Sequence, residues 1–277
     1  MRFPRALAFR TTMTVVLILL SLMFLLPFLW QLRSSVMTIS EIFISPPRAF
    51  PKVPQWRNYA EVFSIMPFAR YYANSLVIVV VNIAGALFSN TIIAYGLARL
   101  KFRGRRLMFS LSISTLMLPT SITLIPTFIE CHFFHGINTF LPLTVPAFFG
   151  NALFIFMLVQ FFRTIPIDFD EAAFIDGAKY PQILLHIIVP ITKPALAVVA
   201  IFTFLASWND YLGPLLYLNE RKLYTLALGL QSMLSQYTSD WHVLMAAATL
   251  VTAPLIVLFF LSQKSFVEGL TMGGIKA

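Results

Sequence analysis

Charge is what this sequence has least of. Only 11% of its 277 residues are Asp, Glu, Lys or Arg, against roughly a quarter in a soluble domain. With 58% hydrophobic residues and a mean hydropathy of +0.82, the chain has too few polar side chains to face water on all sides. The single cysteine, Cys131, excludes an internal disulfide. No Gly-rich loop ending in Lys-Ser or Lys-Thr is present, so if ATP drives this protein, another chain binds it. Acids are scarce inside the apolar runs, Asp210 being the one clear case. That is thin support for a proton- or sodium-driven transporter, which wants acids or unwound helices at mid-membrane. The four histidines (132, 135, 186 and 242) lie at loops or edges without matched partners, which argues against an intramembrane enzyme. There is no fixed-period repeat and no low-complexity tract.

What the chain does have is long apolar segments. A bilayer is crossed by roughly 20 apolar residues, and the sequence offers six such spans, at about 12–33, 73–98, 107–129, 142–162, 194–218 and 242–262. The fold class expected is all-α: one polytopic membrane domain over 1–277 with six transmembrane helices. Arg2, Arg5 and Arg10 precede the first run, as in a signal sequence. The run is longer than the 7–15 residues or so of a cleaved signal and no small-x-small site follows, so it reads as an uncleaved span. Arg99, Lys101, Arg103, Arg105 and Arg106 crowd a short loop between spans two and three. Cations stay with cytoplasmic loops, so this loop is inside and both the N- and C-termini are cytoplasmic. On that topology the net charge of +9 reports orientation in the lipid bilayer, and no nucleic-acid partner is expected. Residues 34–72, with Pro46, Pro47, Pro51, Pro54 and Pro67, form an external loop of short segments.

The organising stretch is 164–193, too interrupted to be a span. Asp168 and Glu171 have the spacing of a capping box, and acids suit the positive end of a helix. Gly177 is a natural left-handed stop. The helix between is about eight residues, roughly 12 Å long. Pro181 fits the first turn of a second short helix, Pro190 ends it, and Pro194 can open the next span. On the first helix Phe169, Ala172, Ala173 and Asp176 share a face, where two alanines admit a close neighbour. A finger that receives a partner and a plain amphipathic connector both satisfy this spacing.

Glu171-Ala172-Ala173, three residues, Gly177, nine residues, then Ile187-Ile188-Val189-Pro190 resembles the EAA loop of ABC-importer permeases, Val189 replacing the usual Leu. The resemblance extends to the Pro46-Pro47 and Trp56-x-Asn58-Tyr59 region, to Trp208-Asn209-Asp210-Tyr211, and to the tail at 266–270 and 273–276. These segments are similar to carbohydrate permeases of the maltose-importer type. The resemblance implies that Asp168, Glu171, Ala172, Ala173, Asp176, Gly177 and Pro190 belong to the loop that couples to an ATPase. It implies a transport subunit that is not itself an enzyme, with no cofactor bound by this chain and ATP and Mg on the partner. The implied partners are a second permease subunit in a heterodimer, two copies of a cytoplasmic ATPase and an extracytoplasmic solute-binding protein. The implied place is a bacterial cytoplasmic (inner) membrane.

Polar residues in the spans divide between two roles. Asn82 and Asn90, eight apart on the second span, and Asn151 in the fourth form either a polar strip along a path or helix–helix hydrogen bonds. Asn209, Asp210 and Tyr211 suit sugar hydroxyls and faces. They also suit a hydrated aromatic belt. No Lys or Arg falls in a span interior, which favours a neutral sugar over a phosphorylated one; a permease for glycerol-phosphate or another non-sugar solute is the alternative. Glu130-Cys131-His132-x-x-His135 matches no standard zinc spacing, so no metal site is expected.

Overall fold

In the computed structural model of the chain, residues 3–236 and 240–274 are described, and all their regular structure is helical. Arg2, Ile275, Lys276 and residues 237–239 of the expected external loop lie outside them. The helices in chain order are α1 (Phe3–Ser35), α2 (Ile39–Ile42), α3 (Arg57–Ile65), α4 (Phe68–Arg99), α5 (Arg105–Ser114), α6 (Thr120–Phe133), α7 (Leu141–Thr144) and α8 (Ala152–Thr164). There follow α9 (Asp168–Ile175), α10 (Tyr180–Ile183), α11 (Val189–Ile191), α12 (Lys193–Trp208), α13 (Leu212–Tyr217), α14 (Leu226–Gln236) and α15 (Trp241–Gly274).

Among the described residues, four helical segments are long and apolar enough to cross a membrane: Phe9–Ser35, Phe68–Arg99, Leu141–Thr164 and Trp241–Gln263. The number reaches six if each of two bent pairs, Arg105–Met117 with Ser121–Phe133 and Tyr180–Ile191 with Lys193–Trp208, is one span. The expected third span is therefore interrupted. Pro119 sits extended at φ −62°, ψ 135° before α6, and its ring forbids the helical continuation of Leu118. Pro126 and Pro254, by contrast, lie inside continuous helices. The expected fifth span, 194–218, is also shorter than the sequence suggests, because α12 stops at Trp208 and α13 is a separate helix.

The chain divides into two compact units. The first comprises residues 1–67 and 230–254. Its interior holds Met37, Val62, Val243, Ala246 and Ala247, all fully buried. Buried Asn58 donates to the carbonyls of Ser35 and Met37 at 2.9 and 3.0 Å. This side chain thereby supplies donors to a Pro-rich loop that has no ladder of its own.

The second unit comprises residues 68–229 and 255–277. Its core runs from Ala86, Ala94, Tyr95 and Leu97 on α4, through Ile155, Leu158, Val159 and Phe162 on α8, to Ala195 and Val199 on α12. The asparagines of α4 fasten this unit. Asn74 donates to the carbonyls of Lys222 and Tyr224, both at 2.9 Å. Asn82 donates to Ser207 Oγ on α12 at 2.9 Å. Asn90, fully buried, donates to Ala86 O at 2.6 Å and accepts the Asn151 N–H at 2.7 Å. Asn151 in turn caps α8, accepting from the amides of Leu153 and Phe154. Just before it, Gly150 has φ +88°, a backbone that an L side chain resists. Asn82 thus bonds helix to helix, and Asn74, Asn90 and Asn151 bond backbone at loops and a helix start; among the described residues, the buried Oδ1 of Asn82 has no hydrogen-bond partner.

Asn90→Leu leaves the Asn151 amide without its acceptor. The expected cost is about 1–3 kcal/mol, read as a lower unfolding midpoint of the detergent-solubilised protein.

Candidate functional site

Residues 164–193 form the helix–glycine–helix finger that the spacing predicts. The helix α9 is eight residues long. Gly177 then takes φ +83°, and its amide donates to Phe174 O at 3.0 Å. That is the left-handed stop expected of glycine. Pro181 falls in the first turn of α10 and Pro194 in the first turn of α12.

The start of α9 differs from expectation. The cap residue is Ile167, already helical at φ −69°, ψ −21°, and no side chain caps the helix. Its carbonyl accepts from the amides of Asp170 and Glu171 at 2.9 and 3.1 Å. Pro166 immediately precedes it, and the helix begins one residue before the Asp168–Glu171 capping box could form. Asp168, Asp170 and Glu171 remain in the first turn, where the helix dipole favours acids.

The far end differs too. Pro190 does not end the second helix, which continues from α10 through a π-helical stretch, Leu184–Ile188, to Ile191. Proline has no N–H to give, and its ring crowds the carbonyl four residues back. A widened turn just before Pro190 relieves that crowding. The bend falls later, where Tyr180–Ile191 meets Lys193–Trp208 at 81°.

The inward face of α9 is Asp170 and Ala173, 4% and 7% exposed. The expected shared face of Phe169, Ala172, Ala173 and Asp176 is divided: only Ala173 is buried, and the other three are exposed. Ala173 joins a core with Ile165, Ile183, Leu184 and Ile188. The outward surface carries Asp168, Glu171 and Asp176 beside Ile167, Phe169 and Ile175, the last 87% exposed.

Asp170 is the residue that motif reading passes over. Its Oδ2 lies 3.6 Å from Nε of Arg99, and both side chains are 6% exposed. Arg99 is the last residue of α4, and its Nη2 donates to Ile165 O at 2.9 Å, just past the end of α8. Burial pushes the Asp170 carboxyl above the usual carboxylate range, and the Arg99 charge pulls it part of the way back. Removing one member of such a buried pair typically costs about 3–5 kcal/mol, because the other charge is stranded. A signal was available in the sequence: Asp170 stands three residues before Ala173, on the same helical face.

The second cluster lies at the end of α12. Trp208 is 1% exposed, stacked on Phe204 at 5.4 Å and edge-on to Tyr72 at 5.5 Å. Asn209 and Tyr211 are exposed, and Asp210 is half-buried. Asp210 Oδ1 accepts the Gly213 N–H at 3.0 Å, so the carboxylate serves the start of α13. A Cβ at Gly213 would stand 2.5 Å from Asp210 Oδ2, so a side chain there would have to displace the carboxylate. Among the described residues no three His, Cys, Asp or Glu side chains converge on a common point, Glu130, Cys131, His132 and His135 included.

Comparison with known proteins follows the same lines. The family described as binding-protein-dependent transport system inner membrane component matches residues 90–271. The arabinooligosaccharides transport system permease protein AraQ of Bacillus subtilis (strain 168) is 31% identical over 278 residues, covering 99% of this chain and 98% of the relative. The diacetylchitobiose uptake system permease protein NgcG of Streptomyces coelicolor is 32% identical over 261 residues, covering 93% and 86%. In structure, the chain is similar to one from a bacterial ABC transporter involved in the import of the acidic polysaccharide alginate. The TM-score is 0.82 at 24% identity, over 95% of this chain and 98% of that one, which establishes the fold.

Asp210→Leu removes the acceptor at the start of α13 and is expected to cost about 1 kcal/mol. Asp210→Asn keeps an acceptor oxygen and is expected to retain most of that. The unfolding midpoints of the two variants check it, with Leu below Asn below wild type.

Proposed function

The chain belongs to the family of binding-protein-dependent transport system inner membrane components, and we propose that it is one permease subunit of an ATP-driven importer for a neutral sugar or oligosaccharide. The observation that carries this reading is the finger. Its inward face is fixed by an ion pair and a small alanine. Its outward face leaves acids and large apolar side chains together in solvent. Exposed apolar surface rimmed by polar groups is the character of a docking site, and here the occupant is a cytoplasmic ATPase. Asp168, Glu171, Ala172, Asp176 and Ile175 would face that partner, while Ala173, Gly177 and Pro190 shape the finger.

In this reading each bent pair is one span, giving six, and an even number returns both termini to one side. The basic loop at 101–106 puts that side in the cytoplasm. The sequence holds no phosphate-binding loop, so ATP and Mg belong to two ATPase copies. A second permease subunit and an extracytoplasmic binding protein complete the assembly in the bacterial inner membrane. Closure of the ATPases moves the finger, and the finger passes that motion through Thr192 to α12. Asn209, Asp210 and Tyr211, at the break where α12 ends, are the side chains best placed for sugar, with Asn82 beside α12. Relatives named for arabinooligosaccharides and for diacetylchitobiose support a sugar cargo.

Inverted membrane vesicles holding the assembled complex test the drive. Radiolabelled neutral oligosaccharides should move only with ATP, should stop with vanadate and should ignore a protonophore. Movement driven by an ion gradient alone would sink the reading. Glu171→Lys places a cation on the docking face and at the unfavourable end of the helix dipole. It is expected to cut uptake at least about tenfold, equivalent to ~1.4 kcal/mol of coupling, with membrane insertion unchanged.

A further inference from the structure

The finger is joined to the rest of its unit by its two chain ends and by one ion pair, and these differ in kind. The chain ends are covalent: residues 165–167 lead in from α8, and α11 runs through Thr192 into α12. Thr192 is fully buried, its hydroxyl donating to Ile188 O at 2.8 Å. The ion pair crosses from α9 to α4 through Arg99 and Asp170. Packing of alanine and isoleucine is non-directional and tolerates sliding. A buried charge pair does not, since parting the charges strands each of them in a medium that cannot solvate it. Arg99 is at the same time fixed to Ile165 O, so α4, the end of α8 and α9 meet on one guanidinium. Further along α4, Asn82 is bonded to Ser207 on α12. The route through α12 and the route through Arg99 therefore both reach α4.

We propose that the Arg99–Asp170 pair is the rigid link that delivers displacement of α9 to α4, so that α4 moves together with α12 during transport and Arg99 and Asp170 are its positioning residues. This rests on the importer reading above. Neither side chain touches the docking partner, because both are buried. Their work is to make the finger and the span move as one body. The exposed acids of α9 govern whether the ATPase binds, and the buried acid governs whether its motion goes anywhere.

The test uses the whole complex with its co-purified ATPase, in a Cys131→Ser background. Spin labels are placed at Val80 on α4 and at Ile122 on α6, both largely exposed. Distances are measured without nucleotide and after trapping with ATP and orthovanadate. Trapping itself is counted as retained radiolabelled ADP. In the wild type the label distance is expected to shift on trapping. In Asp170→Asn the shift should fall at least about threefold while trapping stays within about twofold, and Asp170→Glu, which keeps the charge, should restore it. Arg99→Lys, which keeps charge but loses the fork that reaches Ile165, should fall between. A full shift in Asp170→Asn would overturn the link. So would a loss matched by an equal loss of trapping, or a loss that Asp170→Glu does not repair, since both mark a merely structural role. A wild-type complex that holds no ATPase would instead overturn the importer reading and the link together.

Discussion

A guanidinium and a carboxylate that have both left water are unstable apart and tolerable together. The junction of Arg99 with Asp170 is of that kind, and much of the second unit is arranged about it. Around it stand the ends of α4 and α8, the inward face of α9 and the core of Ile165, Ala173, Ile183 and Ile188. The helix α9 is eight residues long, too short to persist alone in water. It exists because one alanine is buried and one acid is held. The opposite face is thereby released from any structural duty, and acids and bare apolar side chains can share it.

Polar side chains in the apolar helices follow a related economy. Asn74, Asn90 and Asn151 each satisfy backbone groups that an irregular segment would otherwise leave open. Asp210 does so for α13. Backbone that departs from the helix inside a membrane protein survives only where some group supplies its hydrogen bonds. The breaks at Gly150 and after Trp208 are both places where a side chain within a few residues does that work.

The amino-acid order shows the finger plainly: its position, the eight-residue helix, Gly177 as the stop, and Pro181 and Pro194 at helix starts all match the structure. It fails on direction and on competition. Spacing alone groups Ala172 with Ala173, but which face turns inward depends on Arg99, some 70 positions earlier in the chain, and Arg99 reads locally as one more cation of a basic loop. Asp168 has the correct spacing for a cap, yet Ile167 is helical already and takes the position. Apolarity predicts the fifth span past residue 208, because hydropathy is blind to Trp208 stacking on Phe204 and to a carboxylate opening a new helix. The third span is read as continuous for the same reason, since Pro119 bends some helices and breaks others.

The π-helical stretch at Leu184–Ile188 has a consequence for register. Hydrogen bonds from i to i+5 widen the turn and bring positions five apart closer to one face. Ile183 and Ile188 are both fully buried, whereas an α-helix, at about 100° per residue, would set them roughly 140° apart. The wide turn absorbs one surplus residue and one proline without turning either anchor away. The widened turn thus lets the chain reach Pro190 with both isoleucines still in the core.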